Sequence, residues 1–240
     1  NRPDGTPVNA VFGFTRMLMK LLRDTEADHI AVIFDAARRN FRNDIYPDYK
    51  GHRPDAPEEL VPQFPLIKQA SEAFNLHTIE IEGFEADDII ATYARQATEA
   101  GAEVTIVSSD KDLMQLVNDK VGMFDEMKNR RIGRDEVFER FGVGPEKVVE
   151  VQALAGDSVD NVPGVPGIGV KTAALLINEY GDLDALLERA GEIKQNKRRE
   201  NLIEFADMAR ISLQLVTLKD DVPVDLPVDE LDVPPHELTK

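Results

Sequence analysis

Six carboxylates fall just after three short apolar runs of this chain, a placement that suits metal-assisted phosphate chemistry. Asp35 closes the run Ile30-Ala31-Val32-Ile33-Phe34. Glu85, Asp87 and Asp88 follow the run from His77 to Ile81 after a turn at Gly83, and Asp110 and Asp112 follow Val104 to Val107. If the runs are parallel strands, all three groups emerge beyond their carboxyl ends, where open α/β sheets gather reactive side chains. Carboxylates crowded on one edge repel one another unless cations sit between them. Hard oxygen donors suit Mg²⁺ or Mn²⁺, and the chain has no cysteine to offer a softer alternative. Two such ions roughly 4 Å apart activate a water and stabilise the leaving oxygen of a phosphodiester. Each acid alone has a plainer reading, because acids at helix N-termini cap free N–H groups. Asp87 and Asp110 could each be only a cap. Joint placement after three successive strands favours the metal cluster.

Two further segments carry chemistry. Residues 156–173 are rich in glycine: Gly164, Gly167 and Gly169 leave backbone N–H groups open to a phosphate. A helix expected from about Val170 turns its N-terminus toward such an anion, with Lys171 and Thr172 beside it. The segment reads as a helix–hairpin–helix over 156–180 that grips a DNA backbone without reading bases. The plainer reading is a tight turn between helices. Asp157 and Asp160, just upstream, join the acids if this module packs against the sheet edge. Residues 36–57 form a basic loop with Arg38, Arg39, Arg42, Lys50, Arg53, Tyr46, Tyr49 and three prolines. Its bases can neutralise phosphates while tyrosine offers a stacking face, and Lys50 and Arg53 can polarise a scissile phosphate. A solvated loop is the bland alternative. The bases Lys194, Lys197, Arg198 and Arg199 suit either duplex backbone or an ordinary helix face, and the four histidines share no metal-ligand spacing.

The elements that must position these groups alternate. A helix with apolar spacing covers about Asn9 to Asp24, and further helices are expected over 58–74 and 85–100 between the three strands. This is the pattern of an α/β fold with a central, mostly parallel sheet flanked by helices. After about Phe124 the pattern turns helical. The expected division is an α/β core over 1–132, a helical part over 133–218, and an acidic, proline-containing linker over 219–240.

The net charge of −17 over 240 residues runs against the basic surface that a nucleic-acid partner usually calls for. Its distribution removes the conflict. The eight candidate ligands and the tail from Lys219 account for thirteen of the seventeen negative charges, and bound cations offset part of the rest. No apolar run approaches the roughly 18 residues that cross a bilayer, and no signal peptide opens the chain, so the expectation is a monomer in a reducing cytoplasm with no membrane partner.

At Val32-Ile33-Phe34-Asp35, Glu85-Ala86-Asp87-Asp88, Ser109-Asp110-Lys111-Asp112 and Gly156–Ala173 the chain resembles the 5′ nuclease family. That family includes flap endonucleases and the N-terminal domain of bacterial DNA polymerase I. Phe41-Arg42 and Tyr49-Lys50-Gly51-His52-Arg53-Pro54 match its arch, and the resemblance extends over nearly the whole chain. It implies a PIN-like core and metal-dependent cutting of DNA at 5′ flaps and 5′ ends, as in primer removal and repair. By motif position, Asp35, Glu85, Asp87 and Asp88 surround one metal region, and Asp110, Asp112 and Asp157 a second, with Asp160 nearby. It also implies K⁺ at the hairpin and a polymerase portion continuous with the tail. The family carries one more aspartate on a strand before the first helix, and the expectation here is a fragment that lacks it. Two rivals stay open. A small acidic-cluster ribonuclease explains the sheet-edge acids but not the hairpin or basic loop, and the other rival is a DNA-junction binder whose catalytic site is incomplete.

Overall fold

The computed structural model describes residues 2–233; Asn1 and residues 234–240, with the last part of the expected linker, lie outside them. Helix α1 (Asn9–Asp24) follows the apolar spacing read from the sequence and packs on α3 (Phe64–Ala73). It has no side-chain cap of its own. Instead Gln63, buried ahead of α3, accepts from the N–H groups of Ala10 (2.8 Å) and Val11 (3.3 Å). Helix α3 begins at Phe64 rather than at Glu58, because Pro62 and Pro65 hold the preceding turn in a short 3-10 segment, Val61–Gln63.

Strand β1 (Ala31–Ile33) pairs in parallel with β2 (His77–Ile79), Ala31 opposite His77 and Ile33 opposite Ile79. Helix α4 (Ala86–Glu99) leads from there to β3 (Val104–Val107), which pairs in parallel with β4 (Val121–Asp125). β5 (Arg130–Ile132) returns antiparallel along β4 through a turn in which Asn129 takes φ +49°. The α/β class with parallel pairing holds. Its hydrogen bonding, however, runs as two sheets, β1–β2 and β3–β4–β5, rather than one continuous sheet. α4 lies against both β1 and β3 and joins them. β4 and β5 were not expected. The sequence looks helical beyond Phe124, and the hairpin turn carries no Asn-Gly or Asp-Gly signal.

The remaining helices are short: α5 (Arg134–Phe141), α6 (Val148–Ala155), α7 (Val170–Tyr180), α8 (Leu183–Glu188), α9 (Asn196–Glu204) and α10 (Ala206–Val216). α6 is central, packed on α7 and α10. One apolar core runs from Ile106 and Met123 through Ile132 and Val137 to Leu154, Ile177 and Leu202, so no break in packing falls at 132/133.

The segment after α10 corrects the linker reading over its described part. Val222 and Leu231 are buried against Ile89 and Tyr93 of α4, with Val224, Leu226 and Val228 packed beside them. Tyr93 Oη donates to the Leu226 carbonyl, Val222 N to Thr92 Oγ1, and Ile30 N to the Leu231 carbonyl. Residues 219–233 are therefore a strap that ties the helical part back across α4 to β1. Prolines and acids gave the segment a linker's composition, whereas the alternation of apolar residues from Val222 to Val228 was the packing signal. Among the described residues, no helix is long and apolar enough to cross a membrane.

Candidate active site

The acids gather around the N-terminus of α4. Glu85 is its N-cap residue, Asp87 and Asp88 lie in its first turn, and Asp35, two residues beyond β1, accepts a 2.8 Å hydrogen bond from Ala86 N. Anions are favoured there by the free N–H groups and the helix dipole. From the other sheet, Asp110 and Asp112 enter beyond β3. Asp110 Oδ1 accepts from Asp112 N at 3.0 Å, just ahead of the 3-10 turn Asp112–Leu116. The loop after α6 brings Asp157 and Asp160. Glu85, Asp87, Asp112, Asp157 and Asp160 line one open cleft.

Electrostatics locate the most crowded point. Burial, then the Asp110 and Glu85 carboxylates, push the Asp87 carboxyl up to about 8. Burial and Asp110 also raise Asp112. Bases answer the other acids. Lys50 Nζ donates to Glu85 Oε1 at 2.6 Å, Arg53 donates to Asp160, and Lys111 donates to Asp157. Burial alone would raise the Asp157 carboxyl, but Lys111 and the Val159 N–H outweigh it and hold its pKa below the ordinary value. Glu85 also accepts from Asn40 Nδ2 (2.8 Å) and Tyr49 Oη (3.3 Å).

Several expected residues turn out to be placed differently. Asp88 is fully buried, and both its oxygens are engaged: Arg42 donates through two nitrogens, at 2.7 and 2.8 Å, and the backbone N–H groups of Glu85 and Lys219 donate as well. It is a clamp, with no oxygen turned to the cleft for a cation. Arg42 is equally buried and spends its remaining donors on the carbonyls of Leu215 (2.7 Å) and Thr217 (3.1 Å), so it cannot meet a phosphate of DNA. Tyr49 is buried against Glu85 and offers no stacking face. Asp35 and Asp110 are both exposed and neither lines the cleft, but Asp110 is near enough to Asp87 and Asp112 to raise both carboxyls.

In the glycine-rich loop, Gly164 is buried and donates its N–H to Ser212 Oγ at 3.0 Å, which removes it from the groups open to an anion. A Cβ there would lie 2.5 Å from Gly156 N, so close packing of the loop on itself is what demands the glycine. Gly167, Gly169 and Lys171 are exposed at the start of α7, with Thr172 partly so. Sequence reasoning missed three groups: Asn40, Lys111 as the partner of Asp157, and Gln152, which donates from α6 to Asp112 Oδ1 at 2.5 Å. Only Lys111, between two candidate ligands, carried a local signal.

Residues 1–142 match the 5′-3′ exonuclease N-terminal resolvase-like domain, and residues 143–238 the 5′-3′ exonuclease C-terminal SAM fold. The chain belongs to the 5′-3′ exonuclease family. It is 60% identical over 242 residues to DNA polymerase I of Rhizobium leguminosarum, covering 98% of this chain and 24% of that protein. It is 36% identical over 236 residues to a 5′-3′ exonuclease of Aquifex aeolicus, covering 98% of this chain and 80% of that one. Among solved structures, the bacteriophage T5 flap endonuclease in complex with DNA and metal ions superposes with a TM-score of 0.77 at 27% identity, over 88% of this chain and 80% of that one. This 5′-3′ exonuclease chain thus spans about a quarter of the polymerase relative it matches.

The donors fit a hard divalent cation: carboxylate oxygens at the end of a helix, two of them with raised pKa values, beside a buried amide oxygen that has no partner. Among the described residues, no group of three or more His, Asp or Glu side chains closes into a ready-made metal cage.

Proposed function

We propose that this chain cuts DNA at 5′ ends and 5′ flaps with the help of divalent metal ions, leaving a 5′-phosphate and a 3′-hydroxyl. The observation that carries this reading is the single cleft in which carboxylates from both sheets and from the loop after α6 meet the basic residues Lys50 and Arg53. Two Mg²⁺ or Mn²⁺ ions, when bound, would supply an activated water and neutralise charge on the leaving oxygen. Asp87, Asp110 and Asp112 hold the negative potential that attracts them. Lys50 and Arg53, already at the cleft rim, meet the scissile phosphate as its charge develops. Gly167, Gly169, Lys171 and Thr172 at the start of α7 grip the duplex backbone, the place where K⁺ would also sit. The parent protein on this reading is a DNA polymerase I acting in primer removal and repair, with this chain as its 5′ nuclease part.

The test is a labelled 5′-flap duplex with Mg²⁺ and the full chain, beside an Asp110→Ala, Asp112→Ala double variant. Cleavage of the flap by the wild type, lost in the double variant, is the expected result. Equal cleavage by both would sink the metal assignment. A second reading, a junction binder without cleavage, draws on the exposed groups Gly167, Gly169 and Lys171 at the start of α7, which can grip a backbone without the carboxylates. Tight flap binding with no product in either Mg²⁺ or Mn²⁺ would select it.

A further inference from the structure

Gln152 stands out among the cleft residues because half of its side chain is unaccounted for. It lies on α6, is 4% exposed, and is flanked along the helix by the buried residues Val151, Ala153 and Leu154. Its Nε2 donates to Asp112 Oδ1 at 2.5 Å, while its Oε1 is, among the described residues, the only buried side-chain polar atom without a hydrogen-bond partner. Turning the amide over would set Oε1 against the Asp112 carboxylate, so the orphan must be the oxygen. An apolar residue would fill this helix position without stranding a polar atom. The residue also lines the carboxylate cleft.

We infer that Gln152 is a positioning residue for the metal region around Asp110 and Asp112: its amide N–H holds Asp112 by Oδ1, and its free Oε1 accepts from a water bound in that region. Asp112 Oδ2 takes no hydrogen bond from the described residues and is left for a cation. The contact is neutral, so it orients Asp112 without cancelling its charge, in contrast to the Lys111 pairing at Asp157. Groups that orient a metal ligand from behind in this way govern affinity as much as the ligand's own charge. The inference rests on the proposed nuclease reading and deepens it.

The test compares the full wild-type chain with Gln152→Met and Gln152→Leu in three measurements: Mn²⁺ binding without DNA by calorimetry, single-turnover flap cleavage over a Mg²⁺ series, and thermal melting in EDTA. Both variants are expected to stay folded in EDTA and to melt close to the wild type, because losing the orphan oxygen offsets losing the bond to Asp112. Both should need about 10- to 100-fold more metal for half-saturation, with the rate recovering at saturating Mg²⁺. Unchanged Mn²⁺ affinity in both variants overturns the inference while leaving the nuclease reading intact. Loss of the fold in EDTA by both also overturns it, since Gln152 would then act in the core. A wild type that neither binds Mn²⁺ nor cleaves brings down the nuclease reading, and the inference with it.

Discussion

Arg42 and Asp88 meet in a buried, two-bonded pair at 2.7 and 2.8 Å, each no more than 1% exposed. Through it the short helix α2 (Arg42–Ile45), the first turn of α4 and the end of α10 are locked together, because the same guanidinium also reaches the Leu215 and Thr217 carbonyls. Removing one partner of a buried pair strands the other. Asp88→Ala is expected to cost about 3–5 kcal/mol of folding stability, in EDTA as much as in Mg²⁺, as read by urea denaturation. Wild-type stability in EDTA with a selective loss of metal affinity would instead return Asp88 to the ligand set.

Asp87 makes the metal-free protein sensitive to pH. Its carboxyl titrates at about 8 in the fold against 3.8 ordinarily. The folded state therefore binds this proton more tightly than the unfolded one, so the contribution is intact below pH 4 and is lost as pH rises toward 8. The slope from this one group is at most about 1.4 kcal/mol per pH unit, reduced by the side chain's partial exposure. In EDTA, melting temperature should fall across this window in the wild type and fall less in Asp87→Asn, which should be the more stable protein at pH 8. Saturating Mg²⁺ should erase the difference, because a cation replaces the proton. A gap between the two proteins in EDTA that does not change with pH would contradict the assignment.

The strap gives a stability prediction that a linker would not. Leu231 is 3% exposed in the small core with Ile89, Tyr93 and Val222. Leu231→Ala should cost about 2–3 kcal/mol, measured by chemical denaturation. Ending the chain after Leu218 should cost more, since the hydrogen bonds to Thr92, Tyr93 and Asp88 go with it. Unaltered denaturation midpoints would restore the linker reading.

Two glycines of one loop should behave oppositely. Gly164 has φ +62°, and a Cβ there would press on Gly156 backbone at 2.5 Å, so Gly164→Ala should destabilise the fold by more than about 1 kcal/mol. Gly169 has φ −94° and open space at its Cβ position, so Gly169→Ala should melt like the wild type. If its N–H approaches a phosphate, the added methyl should still weaken duplex binding several-fold, read by fluorescence anisotropy. Equal duplex affinity would remove Gly169 from the DNA-contacting set.

Local pattern carried a good deal. The 3.6-residue spacing from Val11 to Leu22 set α1 within its observed bounds, and the apolar runs before Asp35, Glu85 and Asp110 marked β1, β2 and β3. The acids at their ends, the glycine-rich loop and the basic segment identified the chemistry and the family, because residue type and order along the chain are enough for a motif. The sequence did not reveal which members of each motif face the cleft. Asp87 and Asp88 are adjacent in a helix, yet a rotation of about 100° per residue puts one in the cleft and the other in a buried clamp. That choice depends on Arg42, forty-six positions away, and on carbonyls at the end of α10. Gln152, the strap on α4 and the division into two sheets are likewise decided by contacts between distant segments. Periodicity records which face of an element is apolar. Only the folded chain decides what that face meets, because burial and pairing energies belong to pairs of segments rather than to either one alone.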